Sequence, residues 1–116
     1  MHIAVTNQGP VTVVTIEGRL DSNTSKELED SVMGLIGSGT SSLLMNFGGV
    51  DYINSSGLRV LLMALQHLKR SGGTLGLCCI KDYMREVFEI SGYTEIFHIY
   101  PGQSEALASF PGQERP

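Results

Sequence analysis

Val50-Asp51-Tyr52-Ile53-Asn54-Ser55-Ser56-Gly57-Leu58 lies where a strand pattern gives way to a helix pattern. Upstream, Leu43-Leu44-Met45 and Phe47 make a short continuous apolar run, the pattern of a buried strand, which ends at Phe47. Downstream, Leu58, Leu61, Leu62, Leu65 and Leu68 recur at helical spacing. Lys69, Arg70 and Gly72-Gly73 close that helix, because cations suit its negative end and glycine accepts the left-handed stop. Asn54 and Ser55 are both N-cap residue types. The first turn of a helix has backbone N–H groups without intrahelical partners and carries positive partial charge, so this turn can hold an anion.

Reading outward towards the N-terminus, Leu28, Val32, Leu35 and Ile36 form a helical stripe preceded by a Thr24-x-x-Glu27 capping-box pattern and stopped by Gly37 and Gly39. Before it, Ile3 and Val5 alternate with polar residues, and Val11, Val13, Val14 and Ile16 form a β-branched run ending at Gly18. The turn cluster Asn7-Gln8-Gly9-Pro10 between them is short enough for an antiparallel hairpin. On the C-terminal side, Leu75 to Ile80 reads as another buried strand, and Asp82 can cap a helix carrying Met84, Val87 and Phe88. A short strand near Glu95 to Ile99 follows Ser91-Gly92, and a last helical piece runs from about Ser104 to Ser109. The order is β-β-α-β-α-β-α-β-α. Strand–helix–strand alternation implies parallel pairing, so the expected fold is α/β, with a mixed sheet of four or five strands and helices packed against it.

A chain of 116 residues is one domain's worth. The domain is expected over 1–110, with a polar, flexible tail over 111–116. A net charge of −4 and the lack of clustered Lys and Arg argue against direct nucleic-acid binding. No run is long enough to span a bilayer, and the N-terminus is not a secretory leader. Cys78 and Cys79 sit in an apolar run, and on a strand they point to opposite faces, which disfavours a mutual disulfide. Both features suit a reducing, cytoplasmic compartment.

Catalytic constellations are not found. The chain has no Gly-x-Ser-x-Gly elbow, no phosphate loop ending in Lys-Ser/Thr, no His-Glu-x-x-His and no Cys-x-x-Cys, so neither an enzyme nor a cofactor or metal site is expected. His2, His67 and His98 are far apart, and Glu27 and Glu29 read as the solvated face of their helix. The serine turn reads first as capping chemistry. It also suits a switch: a phosphate on Ser55 would add roughly −1.5 to −2 charge at a helix start that accepts it, while a partner docked there would not.

The stretch from Val50 to Leu58 resembles the signature of the STAS family, in which a hydrophobic pair precedes Asp-Ser-Ser-Gly or Asp-Ser-Thr-Gly and then Leu. Gly18-Arg19-Leu20-Asp21 resembles that family's Gly-x-Leu-Asp, and Ser91-Gly92 resembles a third landmark. The resemblance runs from about Ile3 to about Leu107. It implies an anti-sigma factor antagonist that binds an anti-sigma factor, itself a serine kinase, and so frees a sigma factor. It also implies that the kinase phosphorylates Ser55 to weaken the complex and that a PP2C-type phosphatase restores binding. By position, Asp21, Asn54, Ser55, Ser56, Gly57 and Leu58 would meet the partner. Asn54 departs from the pattern, keeping the shape of the usual Asp and its capping ability but not its charge. That departure favours an alternative, an adaptor STAS domain of a signalling or lipid-transport assembly that is not phosphorylated. A small-molecule or nucleotide sensor is the other alternative, and an esterase-like enzyme is disfavoured for want of a base.

Overall fold

The structure is a computed structural model that describes residues 1–110, so the tail expected over 111–116 lies outside the described residues. Its framework starts from the hairpin. β1 (His2–Gln8) and β2 (Val11–Leu20) pair antiparallel across Gly9-Pro10, with Gly9 at φ 62, a left-handed conformation that glycine adopts without strain. α1 (Ser25–Gly37) then crosses to β3 (Ser42–Ile53), which lies parallel to β2, and α2 (Ser55–Arg70) crosses to β4 (Thr74–Cys78). α3 (Asp82–Ile90) leads to β5 (His98–Tyr100), and α4 (Gln103–Ser109) follows. The sheet has five strands in the order β1-β2-β3-β4-β5, parallel except for the first pair. The expected α/β order is therefore the observed one.

Alternation along β2 and β3 sorts the two faces. Val14, Ile16, Met45 and Phe47 face α1, α2 and α3 in the main core, while Val11, Val13 and Leu44 face α4 together with Cys78, Ala106 and Phe110. The thinner layer is close-packed. A Cβ at Gly76 would lie 3.2 Å from the Phe110 ring, so the missing side chain leaves room for that ring to cover the sheet.

Several local expectations are corrected. The strand does not end at Phe47 but runs to Ile53, because β2 continues beside it. The Gly48-Gly49 pair just past Phe47 lies inside the strand at a point of close approach, where a Cβ on Gly49 would sit 2.6 Å from Glu17 Cγ, next to a register shift in the β2–β3 ladder. The capping box does not form. Thr24 stands at the N-cap of α1, but its Oγ accepts from the Asp21 amide (3.0 Å) and donates to the Arg19 carbonyl (2.7 Å), so it folds the preceding loop instead. Lys81 rather than Asp82 is the N-cap of α3, and Asp82 lies in the first turn, where a carboxylate complements the helix dipole. On α2, Leu62 is only half-buried, whereas Val60 and Ala64 join the core, because the helix is covered on a wider arc than a leucine stripe shows. The last strand lies later than expected. Tyr93–Glu95 is a 3-10 helix that brings the Tyr93 and Phe97 rings to 5.4 Å, which commits that stretch to the core before pairing begins at His98.

Candidate functional site

β2 and β3 run on past the end of β4, whose last paired residue, Cys78, meets Asn46. The overhang ends where Arg19 pairs with Tyr52 and Leu20 with Ile53. From there one chain turns through Asp21 into α1 and the other through Asn54 into α2, so residues 33 positions apart leave the sheet side by side: the Asn54 amide donates to the Leu20 carbonyl (3.3 Å).

Asn54 closes the start of α2 from three directions. Its backbone is extended (φ −125, ψ −171), and its own carbonyl accepts from the Leu58 amide at 3.0 Å. Its Oδ1 accepts from the Ser56 amide at 3.1 Å and from the Gly57 amide at 3.4 Å. No acidic side chain stands in the first turn of α2, while His67, Lys69 and Arg70 occupy the last, so the positive end of a 16-residue helix faces the turn with only a neutral cap.

Exposure divides the motif. Ser55 is exposed and Ser56 half-buried, whereas Gly57 and Leu58 are buried. A Cβ on Gly57 would lie 2.7 Å from Leu20 Cγ and 3.0 Å from Ile53 Cγ1, so glycine lets α2 start directly against the strand ends. Leu58 is 6% exposed and anchors that first turn in the core. The two serines therefore present themselves to solvent, and the two residues after them hold the turn in place from beneath.

Asp21 stands at the neighbouring strand end. The Asn23 amide, 2.9 Å from Oδ1, holds its carboxyl below the usual range; partial burial opposes this, and Thr24 and Arg19 reinforce it. Arg19 lies 3.5 Å from Asp21 and also stacks over the exposed Tyr52 ring, 4.1 Å from its centroid. Sequence spacing did not bring out Arg19, Tyr52 or Tyr83 as neighbours of the turn. The Tyr83 hydroxyl donates to the Asp51 carbonyl (3.1 Å), tying α3 to the unpaired side of the β3 overhang across 32 positions. Only the register of β2 against β3 and the placement of α3 make these contacts, and neither leaves a local pattern.

The other candidate groups lie elsewhere. His2 is on β1, His98 on β5, and His67 is 12 residues along α2 from Ser55, about 18 Å at a rise of 1.5 Å per residue. Glu27 is exposed on α1 with Glu29 half-buried beside it. Among the described residues no group of three or more His, Cys, Asp or Glu could hold a metal ion, and no helix is long and apolar enough to cross a membrane. Cys78 and Cys79 are both free. Cys78 is buried and its thiol is pushed up to about 12 by that burial and by Cys79, while Cys79 leaves the strand at φ 64.

A mixed five-stranded sheet with a serine-bearing, asparagine-capped helix start at its strand ends defines a small domain with an exposed hydroxyl on a hydrogen-bonded turn. The pattern of the STAS domain matches residues 2–106, and the chain belongs to the STAS domain family. It is 35% identical over 98 residues to BtrV of Bordetella bronchiseptica, which bears the name of an anti-sigma factor antagonist, covering 84% of each chain. It is 28% identical over 102 residues to the anti-sigma-B factor antagonist of Staphylococcus aureus, covering 88% of this chain and 94% of that one. The crystal structure of an anti-sigma factor antagonist from Mycobacterium paratuberculosis superimposes with a TM-score of 0.86 at 23% identity, over 93% of this chain and 92% of the other.

Proposed function

We propose that this chain is an anti-sigma factor antagonist, a cytoplasmic protein that acts by binding rather than by catalysis, and that Ser55 is its switch. Its partner is an anti-sigma factor with serine kinase activity, and a PP2C-type phosphatase reverses the modification. One observation carries the reading: Ser55 is the exposed first residue of α2, while the next three residues are progressively withdrawn into the fold. A kinase can reach Ser55 without unfolding the turn. A phosphate there sits at the positive end of a helix with no competing carboxylate in its first turn, so the fold tolerates it. A docked partner does not, because about two negative charges would have to be desolvated in the interface. Ser55, Ser56 and Asp21 form the contact surface, and Asn54, Gly57 and Leu58 set its shape. The regulatory domain is the unit spanning 1–110.

Asn54 supports a second reading, an unphosphorylated adaptor STAS domain, since the charge that usually precedes the serine is absent. Incubation with the cognate anti-sigma kinase and ATP, followed by intact-mass measurement and site mapping, separates the two. One phosphate on Ser55 is expected. Ser55→Asp is expected to weaken anti-sigma binding by at least about tenfold, roughly 1.4 kcal/mol, while Ser55→Ala binds and resists inactivation. Equal binding by both variants, with no mass shift, leaves the adaptor.

A further inference from the structure

Among the described residues, β1 is an edge strand without the usual protections of an edge. Its seven residues, His2–Gln8, include no Lys, Arg, Asp, Glu, Pro or Gly, and none of them is buried. Its ladder with β2 runs through seven consecutive pairs without a bulge. Monomeric proteins usually blunt such an edge with charge, proline, a bulge or a covering element.

The hairpin fixes which backbone groups are available. A two-residue turn at Gly9-Pro10 makes Gln8 and Val11 a hydrogen-bonded pair, and the antiparallel alternation then assigns the same role to Thr6–Val13, Ala4–Thr15 and His2–Glu17. The N–H and C=O groups of Ile3, Val5 and Asn7 therefore point away from β2. The side chains of Ile3 and Val5 lie on the helix-covered face, since they pair with Ile16 and Val14 of the main core. Ile3 and Met1 pack against that core only partly, and Val5 is 46% exposed.

We propose that β1 pairs antiparallel with β1 of a second copy of this chain, about a two-fold axis at Val5. That register sets Val5 against Val5, and Ile3 of each protomer against Asn7 of its partner. Three pairs exchanging two bonds each use all the outward groups of Ile3, Val5 and Asn7, about six bonds in all. The strand suits a copy of itself for two further reasons. The same register places His2 opposite Gln8 and Ala4 opposite Thr6, so no like charges meet. The two exposed Val5 side chains also cover each other and join the helix-side cores of both protomers into one layer. The interface is isologous, as two-fold pairing requires, and closes without leading to fibres. A seven-residue strand covers less than the roughly 800 Å² per partner of a standard interface, so the dimer is weak and dissociates in the micromolar range. The pairing uses no atom of the turn from Asn54 to Leu58 and stands independently of the function assigned to that turn.

Sedimentation equilibrium of the full chain from about 10 µM to about 1 mM tests this over the range where such interfaces dissociate. The weight-average mass is expected to rise from 12.6 kDa towards twice that value. Val5→Pro removes an outward N–H that β2 does not use, and Val5→Lys sets two charges against each other. Each is expected to weaken association at least about tenfold with the fold retained. Amide exchange of the unmodified chain reads the same geometry: the Ile3, Val5 and Asn7 amides slow as concentration rises, while Ala4 and Thr6, already bonded to β2, do not change. If Val5→Pro unfolds, Val5→Lys and the exchange pattern decide. A mass that stays at 12.6 kDa up to about 1 mM overturns the proposal, as does a dimer that survives Val5→Lys with those three amides unaffected by concentration.

Discussion

Asn54→Ala tests whether the start of α2 rests on its cap. Asn54 Oδ1 serves the amides of Ser56 and Gly57 at 3.1 and 3.4 Å, and alanine leaves both without that acceptor. Cap removal costs about 0.5–2 kcal/mol in general. Here the upper end applies, because Gly57 is buried under Leu20 and Ile53, where water does not readily replace the lost acceptor, whereas the amide of half-buried Ser56 is more easily hydrated. The expected loss is about 2 kcal/mol, or about 8 °C in Tm for a domain of this size. Asn54→Asp retains the acceptor and adds a charge at the positive end of the helix, so it should match or exceed the natural protein by up to about 1 kcal/mol near neutral pH. Urea unfolding at fixed pH, with m-values compared to confirm an unchanged denatured state, measures both variants. An alanine variant within about 0.5 kcal/mol of the natural protein would refute the cap argument, as would an aspartate variant as unstable as alanine.

Gly57→Ala gains about 1 kcal/mol of helix propensity but places a methyl 2.7 Å from Leu20 Cγ, a branch point buried in the core that cannot swing aside; a net loss of about 1–2 kcal/mol is expected in urea unfolding. Gly34→Ala on α1, with nothing within 4 Å of the new Cβ, is the internal control and should stabilise by about 0.5–1 kcal/mol. Cys78, with its thiol pushed up to about 12, contributes stability that is complete below the unfolded thiol value of about 8.5 and is lost as pH rises through the folded value. The urea midpoint of the natural protein should therefore fall more steeply between about pH 8 and 10 than that of Cys78→Ala, and parallel curves would disprove the assignment.

The order of elements was legible because each segment carries one clear period: β-branched alternation for the hairpin, a leucine stripe for α2, and a continuous apolar run for the first part of β3. The errors fall where a residue type has two uses. The apolar run stops at Phe47, so the strand reads as ending there, and only the neighbouring Glu17 on β2 explains Gly48-Gly49 as a contact inside it. Thr24 has the right spacing for a capping box, but the adjoining loop offers its hydroxyl better partners. At the turn, Asn54 was legible as a cap and Ser55 as the residue beside it. Leu58 was legible as the first residue of the leucine stripe, whereas the inward placement of Gly57 was not, since it depends on where the end of β2 lies. Tyr83 and Arg19 were missed for the same reason: their contacts cross the chain at long range.

The three-way fastening of Asn54, by amide to Leu20, by carbonyl to Leu58 and by side chain to Ser56 and Gly57, has a consequence for how information leaves this domain. A group attached to the exposed Ser55 would sit beside a backbone already held by these hydrogen bonds. On the reading proposed for Ser55, such a change would work as a label rather than a lever. Its message would be written on the surface and read only by whatever arrives there, at a speed set by encounter and not by any rearrangement of the fold.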